Sequence, residues 1–182
     1  RREDGLITIT TPVSKRLEAA GIFKRLDGRP VLLQALRESA FSVACNLFPS
    51  KKRIASHLGL TPEDLIPRIL HAIENPSAPE RVETAPCQEQ VWDEVDLDRL
   101  PLLFHCARDG GNYISSGIVV AADDTYGQNL DFHRMMQIGK DRLSVRVVSG
   151  RHFDRFLQKN RRMPMAVCIG SGAQVLLAAA TS

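Results

Sequence analysis

Aromatic residues are scarce, at 5% of the sequence with a single Trp. Few rings are available to stack on bases, so a module binding single-stranded nucleic acid is disfavoured. Long apolar runs are missing too. The uninterrupted stretch at 175–180 is far short of the roughly 20 residues that a membrane span needs, and no membrane partner is expected. Four cysteines (Cys45, Cys87, Cys106 and Cys168) form neither CxxC nor CxxH, which argues against a zinc ribbon. They read as small buried hydrophobes of a reduced, cytoplasmic protein. No GxSxG elbow, HExxH helix or GxxxxGK[ST] loop occurs. No basic start followed by an apolar core reads as a signal peptide. The chain opens at Arg1 without Met and reads as part of a longer protein.

What is present is ordinary in amount and uneven in placement. At 182 residues, 43% hydrophobic and 25% charged, the chain fits one or two soluble domains. Net charge is +3, yet residues 129–162 hold nine Lys or Arg against three Asp. Such a segment implies an anionic partner, whether nucleic acid, a cofactor phosphate or a carboxylate substrate, or else a solvated helix face.

The first half reads as mixed α/β. Ser50 caps a helix over 51–58 that Gly59 stops. Thr61 and Pro62 open a second, in which Ile66, Ile69, Leu70 and Ile73 have the spacing of a buried stripe. Pro67 falls inside that pattern and implies a kink or a late start. Residues 75–87 hold three prolines and little apolar character, a natural domain boundary. The second half is richer in strand signals, over 114–122, 130–138, 142–148 and 165–169. Between them, 151–160 places Phe153, Phe156 and Leu157 on one helical face. The Gly170–Gly172 turn leads into an alanine-rich helix.

The constellation with chemical content is Asn129, Arg134, Arg146, Arg151 and His152. An amide oxygen and a neutral imidazole nitrogen can ligate a divalent cation such as Mn2+, and guanidinium groups suit phosphate or carboxylate. The same residues equally allow Asn129 to close a turn and His152 to cap a helix. Asn129 and Arg134 are five apart, so they share a pocket only if their strand bends, bulges or ends near Asn129.

The segment Asp109-Gly110-Gly111-Asn112-Tyr113-Ile114 with Gly117-Ile118-Val119-Val120 resembles the entry to the central domain of the UbiD family of prenylated-FMN-dependent decarboxylases. The stretch Gln128-Asn129-Leu130-Asp131-Phe132-His133-Arg134-Met135 is similar to its Asn-x-x-x-x-Arg strand. Gly139-Lys140-Asp141-Arg142-Leu143 and Gly150-Arg151-His152 follow in order, with 23 residues from Asn129 to His152. Asn46-Leu47-Phe48, Gly59-Leu60, Glu74-Asn75-Pro76, Val95-Asp96-Leu97 and Leu100-Pro101 extend the likeness from about residue 32 onward.

The resemblance implies an α+β fold: a small N-terminal α/β domain (1–87), then the first part of a split β-barrel flavin-binding domain of flavin-reductase kind (88–182). The implied activity is reversible, non-oxidative decarboxylation of an aromatic or α,β-unsaturated acid, a carboxy-lyase reaction. Asn129 and His152 resemble two ligands of a Mn2+ ion bridging to the cofactor phosphate. Phe132, His133 and Arg134, with Arg146, Val147, Val148, Arg151 and His152, match cofactor-lining positions. Arg134 also resembles the catalytic arginine beside the substrate carboxylate. A K+ site in some members lies near Ala180 and Thr181. The implied partners are a small carboxylic acid, a flavin prenyltransferase as cofactor source, and further copies in a homo-oligomer. The family's third ligand, a Glu, and its pair of catalytic acids would fall beyond Ser182, so these 182 residues alone are expected to be inactive. The family's opening helix is expected to be short or missing. The rival reading is a metal-free FMN oxidoreductase on a split barrel.

Overall fold

A computed structural model describes residues 5–181; residues 1–4 and 182 lie outside the described set. The chain starts with a short crossover unit. Strand β1 (Ile7–Ile9) and strand β2 (Val31–Leu33) pair in parallel, joined by helix α1 (Glu18–Arg25). Strand β3 (Val43–Cys45) then adds antiparallel to β2. Val31 and Leu33 point from the central strand into a core with Ala19 and Phe23 of α1. The end of α1 is held by Asn46, in left-handed conformation, whose Nδ2 donates to the carbonyls of Phe23 (3.0 Å) and Leu26 (3.2 Å). That satisfies acceptors the helix leaves open. Neither β1 nor α1 was anticipated by the sequence reading, and α1 is the first helix among the described residues.

Helix α2 (Lys51–His57) starts at Ser50, whose side chain accepts from the Arg53 amide, and stops at Gly59 with φ +70°. Helix α3 (Leu65–Glu74) starts late, which places Pro67 in its first turn, where the missing N–H costs nothing. The expected buried stripe is overturned. Leu65 is the buried residue of α3, whereas Ile66, Leu70 and Ile73 are 50–54% exposed. Spacing identifies an apolar face but not what lies opposite it. Here α3 sits at the surface, its Leu65 and Ile69 lining a groove with Leu177 and Ala178. Residues 75–85 contain no regular structure. The expected burial of the cysteines fails, since Cys87 and Cys106 are exposed and Cys45 and Cys168 only half-buried, whereas all four are free, as thiols rather than disulfides.

The second half forms two antiparallel three-stranded sheets. One has the order β4 (Tyr113–Ile114), β7 (Met135–Gln137), β8 (Leu143–Val145). The other has the order β6 (Gly127–Phe132), β5 (Ile118–Asp123), β9 (Met165–Cys168). The strand expected over 130–138 is thus two strands in different sheets, parted at His133 and Arg134. Ile114 and Met135 of one sheet meet Val119 and Ala121 of the other, under Phe153 and Phe156 of helix α4 (His152–Lys159). Helix α5 (Ala173–Ala180) ends the described chain. Leu103 joins the first core and Leu102 the second. Backbone bonds from Leu17 to Phe104 (2.8 Å) and from Phe104 to Lys15 (3.0 Å) tie the halves together. No helix among the described residues is long and apolar enough to cross a membrane.

Gly117 lies where the two sheets approach. A Cβ there would meet Ile114 Cγ2 at 2.7 Å and Met135 Cε at 3.1 Å. Gly117→Ala is expected to destabilise the full-length protein by about 1–3 kcal/mol through overpacking, measurable as a fall in denaturant midpoint. A midpoint at the wild-type value would contradict this packing.

Asp123, at the β5–β6 turn, is the other fixed point. Its carboxylate accepts from Lys159 Nζ (2.8 and 2.9 Å), Asn160 Nδ2 (2.8 Å) and the amides of Thr125 (2.8 Å) and Tyr126 (3.2 Å). These donors, Lys159 foremost, hold its pKa far below the ordinary 3.8. Since the native pKa is depressed, the stabilisation is complete above about pH 4 and fades as pH falls toward the native value. Asp123→Asn should therefore lower Tm by several degrees at pH 7, and the gap from wild type should narrow below about pH 4. Thermal melts across pH check this; a gap that stays constant to acid would refute it.

Candidate functional site

The break between β6 and β7 opens into a concave feature of the second half. A pocket of about 690 Å³ is lined by Asn129, Asp131, Phe132, His133 and Arg134 from the break, and by Arg146, Val147 and Val148 after β8. Gly150 to Phe153, Arg155, Ala179 and Ala180 complete the wall. All nine residues singled out from the sequence line this one space. Asn129 and Arg134 do so because β6 ends at Phe132, which frees Arg134 from strand alternation.

Asn129 does not close a turn. It sits within β6 opposite Ala121, buried, with its side chain toward α4. Its Oδ1 lies 3.2 Å from His152 Nδ1, and its Nδ2 donates to Asp131 Oδ2 at 3.1 Å. Nor is His152 a cap: it is the first residue of α4, and the cap position belongs to Arg151, whose side chain makes no capping bond. The loop before α4 is held by Gly150, with φ +82°, whose amide donates to Asp154 Oδ2 at 2.8 Å.

His133 is buried against the Phe153 ring, with centroids 4.7 Å apart. Its Nε2 lies 2.8 Å from Asp131 Oδ1. The two atoms meet off the axis that a hydrogen bond requires, and both stay without a hydrogen-bond partner. The pocket thus gathers four polar side chains, with Asn129 and His133 buried, Asp131 half-buried and His152 exposed, beside exposed guanidinium groups.

Sequence reasoning missed Asp131, Phe153 and Arg155. Each had a signal: Asp131 is two residues from Asn129 on a strand, and Arg155 is three from His152 on a helix, both same-face spacings. Arg155 adds a fourth guanidinium to Arg134, Arg146 and Arg151, against the single carboxylate of Asp131. The arrangement can hold a dianion, and Asn129 Oδ1 with His152 Nδ1 can offer two lone pairs to a cation. No cluster of three or more His, Cys, Asp or Glu suited to a metal exists among the described residues. Ala180 lines the pocket, whereas Thr181 faces the α3–α5 groove and its hydroxyl donates to the Ala178 carbonyl at 2.9 Å.

Comparison with known proteins gives two family matches. Residues 1–73 match the 3-octaprenyl-4-hydroxybenzoate carboxy-lyase N-terminal domain, and residues 80–182 match the 3-octaprenyl-4-hydroxybenzoate carboxy-lyase Rift-related domain. The anhydromevalonate phosphate decarboxylase of Methanothermobacter thermautotrophicus is 37% identical over 185 residues, covering 99% of this chain and 43% of the relative. That of Methanosarcina mazei is 34% identical, with the same coverage of 99% and 43%. Among solved structures, an evolved dimeric form of the UbiD-class enzyme HmfF from Pelotomaculum thermopropionicum, in complex with prFMN, is 28% identical. It aligns with TM-score 0.85 over 91% of this chain and 41% of its own. The vanillic acid decarboxylase of Sedimentibacter hydroxybenzoicus aligns with TM-score 0.85 at 25% identity, over 94% of this chain and 41% of its own. The chain spans about two fifths of the length of these relatives.

Proposed function

The chain belongs to the UbiD carboxy-lyase family, and from that premise we propose that its protein decarboxylates an unsaturated or aromatic carboxylic acid with prenylated FMN and a divalent cation. The observation that carries this reading is the pocket at the β6–β7 break, where Asn129, His152 and four guanidinium groups converge. Two relatives are named for a phosphorylated substrate. A small unsaturated acid bearing a phosphate is therefore the substrate class to try first. The same reading takes 1–87 and 88–182 as two domains, supported by the irregular stretch at 75–85. It takes the two antiparallel sheets as the beginning of a split barrel.

The residues present fit these groups. An amide oxygen and an imidazole nitrogen that face each other are donors a divalent cation could take together. Asn129 Oδ1 and His152 Nδ1 are separated by 3.2 Å. The exposed guanidinium groups of Arg146, Arg151 and Arg155 supply the charge-assisted donors that a phosphate takes, and the start of α4 adds the positive end of a helix. Phe132, Val147 and Val148 offer the apolar wall against which a flat ring packs.

Prenylated FMN, when bound, supplies the electron sink for the pair left as the carbon–carboxylate bond breaks. The chain's own contribution is placement and charge. Arg134, released from β6, presents a planar fork to the substrate carboxylate. Asn129, buried, and His152, exposed at the start of α4, would hold the cation, which would supply positive charge for the cofactor phosphate. The test is metal and flavin analysis of the full-length protein made alongside a flavin prenyltransferase, with CO2 release from candidate acids. Bound Mn2+ and modified flavin with turnover are expected. Flavin bound tightly without metal would favour the oxidoreductase reading instead.

His152→Ala in the full-length protein should lower metal occupancy and flavin retention together, on the order of tenfold or more, because one ion links them. Full flavin content with no metal would sink the idea. Arg134→Lys should retain flavin better than turnover, since a point charge holds an anion but does not reproduce the bidentate fork. Loss of flavin at unchanged turnover per bound flavin would count against a catalytic role.

A further inference from the structure

We propose that Asp131 is the positioning residue of the cation site, acting through Asn129. The inference rests on the metal reading above and adds a residue to it. An Asn side chain ligates through oxygen alone, yet its amide can turn over and present NH2 in the same place at almost equal steric cost. What decides the orientation is the acceptor behind it. Asp131 Oδ2 takes the Nδ2 hydrogen at 3.1 Å, and this turns Oδ1 toward His152 Nδ1 at 3.2 Å. Strand alternation makes the pairing possible, since residues 129 and 131 share a face of β6.

Asp131 is itself confined. Its Oδ1 is buried without a hydrogen bond, 2.8 Å from His133 Nε2, and the His133 ring is packed against Phe153. The carboxylate is thus tied on one side to Asn129 and bounded on the other by a packed ring. A carboxylate behind a ligand also strengthens the ligand, as acidic partners of metal-bound histidines do. Asp131 is not itself a ligand in this reading, because its Oδ2 is engaged by Asn129.

The test measures Mn2+ binding to the flavin-free, full-length protein by the electron paramagnetic resonance of free Mn2+, with melting temperature as the check on folding. Asp131→Leu, which removes the acceptor at similar side-chain size, is expected to weaken Mn2+ by roughly 10–100-fold. Asp131→Asn keeps a carbonyl oxygen that accepts the same Nδ2 hydrogen and should hold affinity to within about threefold of wild type, a rescue by the conservative variant that a merely structural role does not produce. Asp131→Ala serves if Asp131→Leu does not fold, with the same expected weakening. Wild-type affinity in folded Asp131→Leu, or an equal loss in folded Asp131→Asn, overturns the proposal. His152→Ala separates the two levels. If it abolishes binding while Asp131→Leu leaves it intact, only the positioning role falls. If the wild type binds no Mn2+, the metal reading falls and this inference with it.

Discussion

The stretch 127–137 must serve two sheets, and the pocket exists because it changes from one to the other within two residues. Up to Phe132 the backbone pairs with β5; from Met135 it pairs with β4 and β8. At His133 and Arg134 the ladder is interrupted, and the strand's two faces both turn into one concavity. Without the break, alternation would send Arg134 away from Asn129. The break is affordable because the residues on either side are firmly held. Met135 is fully buried, and Asn129 lies in the longest strand pairing of the molecule. Placing functional side chains at a junction between rigid elements is a general way to combine precision with an open space.

The second constraint is the seat of α4, which delivers His152 and Arg155. Its apolar face, Phe153 and Phe156, is buried in the core shared by the two sheets, and its far end is tied through Lys159 and Asn160 to Asp123. Asp123 stands at one end of β5, and Asn129 pairs with Ala121 only two residues away on that strand. Helix and strand are thus locked at one end by charge-assisted hydrogen bonds and along their length by packing. The 3.2 Å approach of His152 to Asn129 is a consequence of that docking.

Much of this was legible in the sequence where the pattern was local. The hairpin at 139–141, the Ser50 cap, the late start of α3 and the Phe153–Phe156 face follow from turn, cap and periodicity rules. The pocket residues came from the resemblance of their motifs to the UbiD family. What was illegible depended on partners remote in sequence. The α3 stripe looked buried but has little against it, and Cys87, on a short 3-10 turn, and Cys106, in a loop, are exposed. The single strand expected over 130–138 hid the break, since an apolar residue at each end, Leu130 and Ile138, suits one strand or two. Helix α1 does carry a helical stripe, Ala19, Ile22, Phe23 and Leu26, that went unread, whereas the three-residue strand β1 is too short for a pattern.

The pocket's charge is graded by depth, and burial energetics explain the order. Asn129 and His133, at the floor, are the buried polar residues of the site, and Asp131 beside them is the one carboxylate. The guanidinium groups of Arg134, Arg146, Arg151 and Arg155 all belong to exposed residues. Four like charges at the floor would cost several kcal/mol each in desolvation before any anion arrived. At the rim they keep their water, and they lose it only as a phosphate or carboxylate takes its place. Neutral donors at depth have the opposite advantage. They can stay dry in the empty site at the cost of one or two hydrogen bonds, and they gain most from a cation that replaces those bonds. An anion entering past the rim toward a cation at the floor would meet favourable charge along its whole path. The same residues in the reverse order would neither fold as easily nor guide it inward.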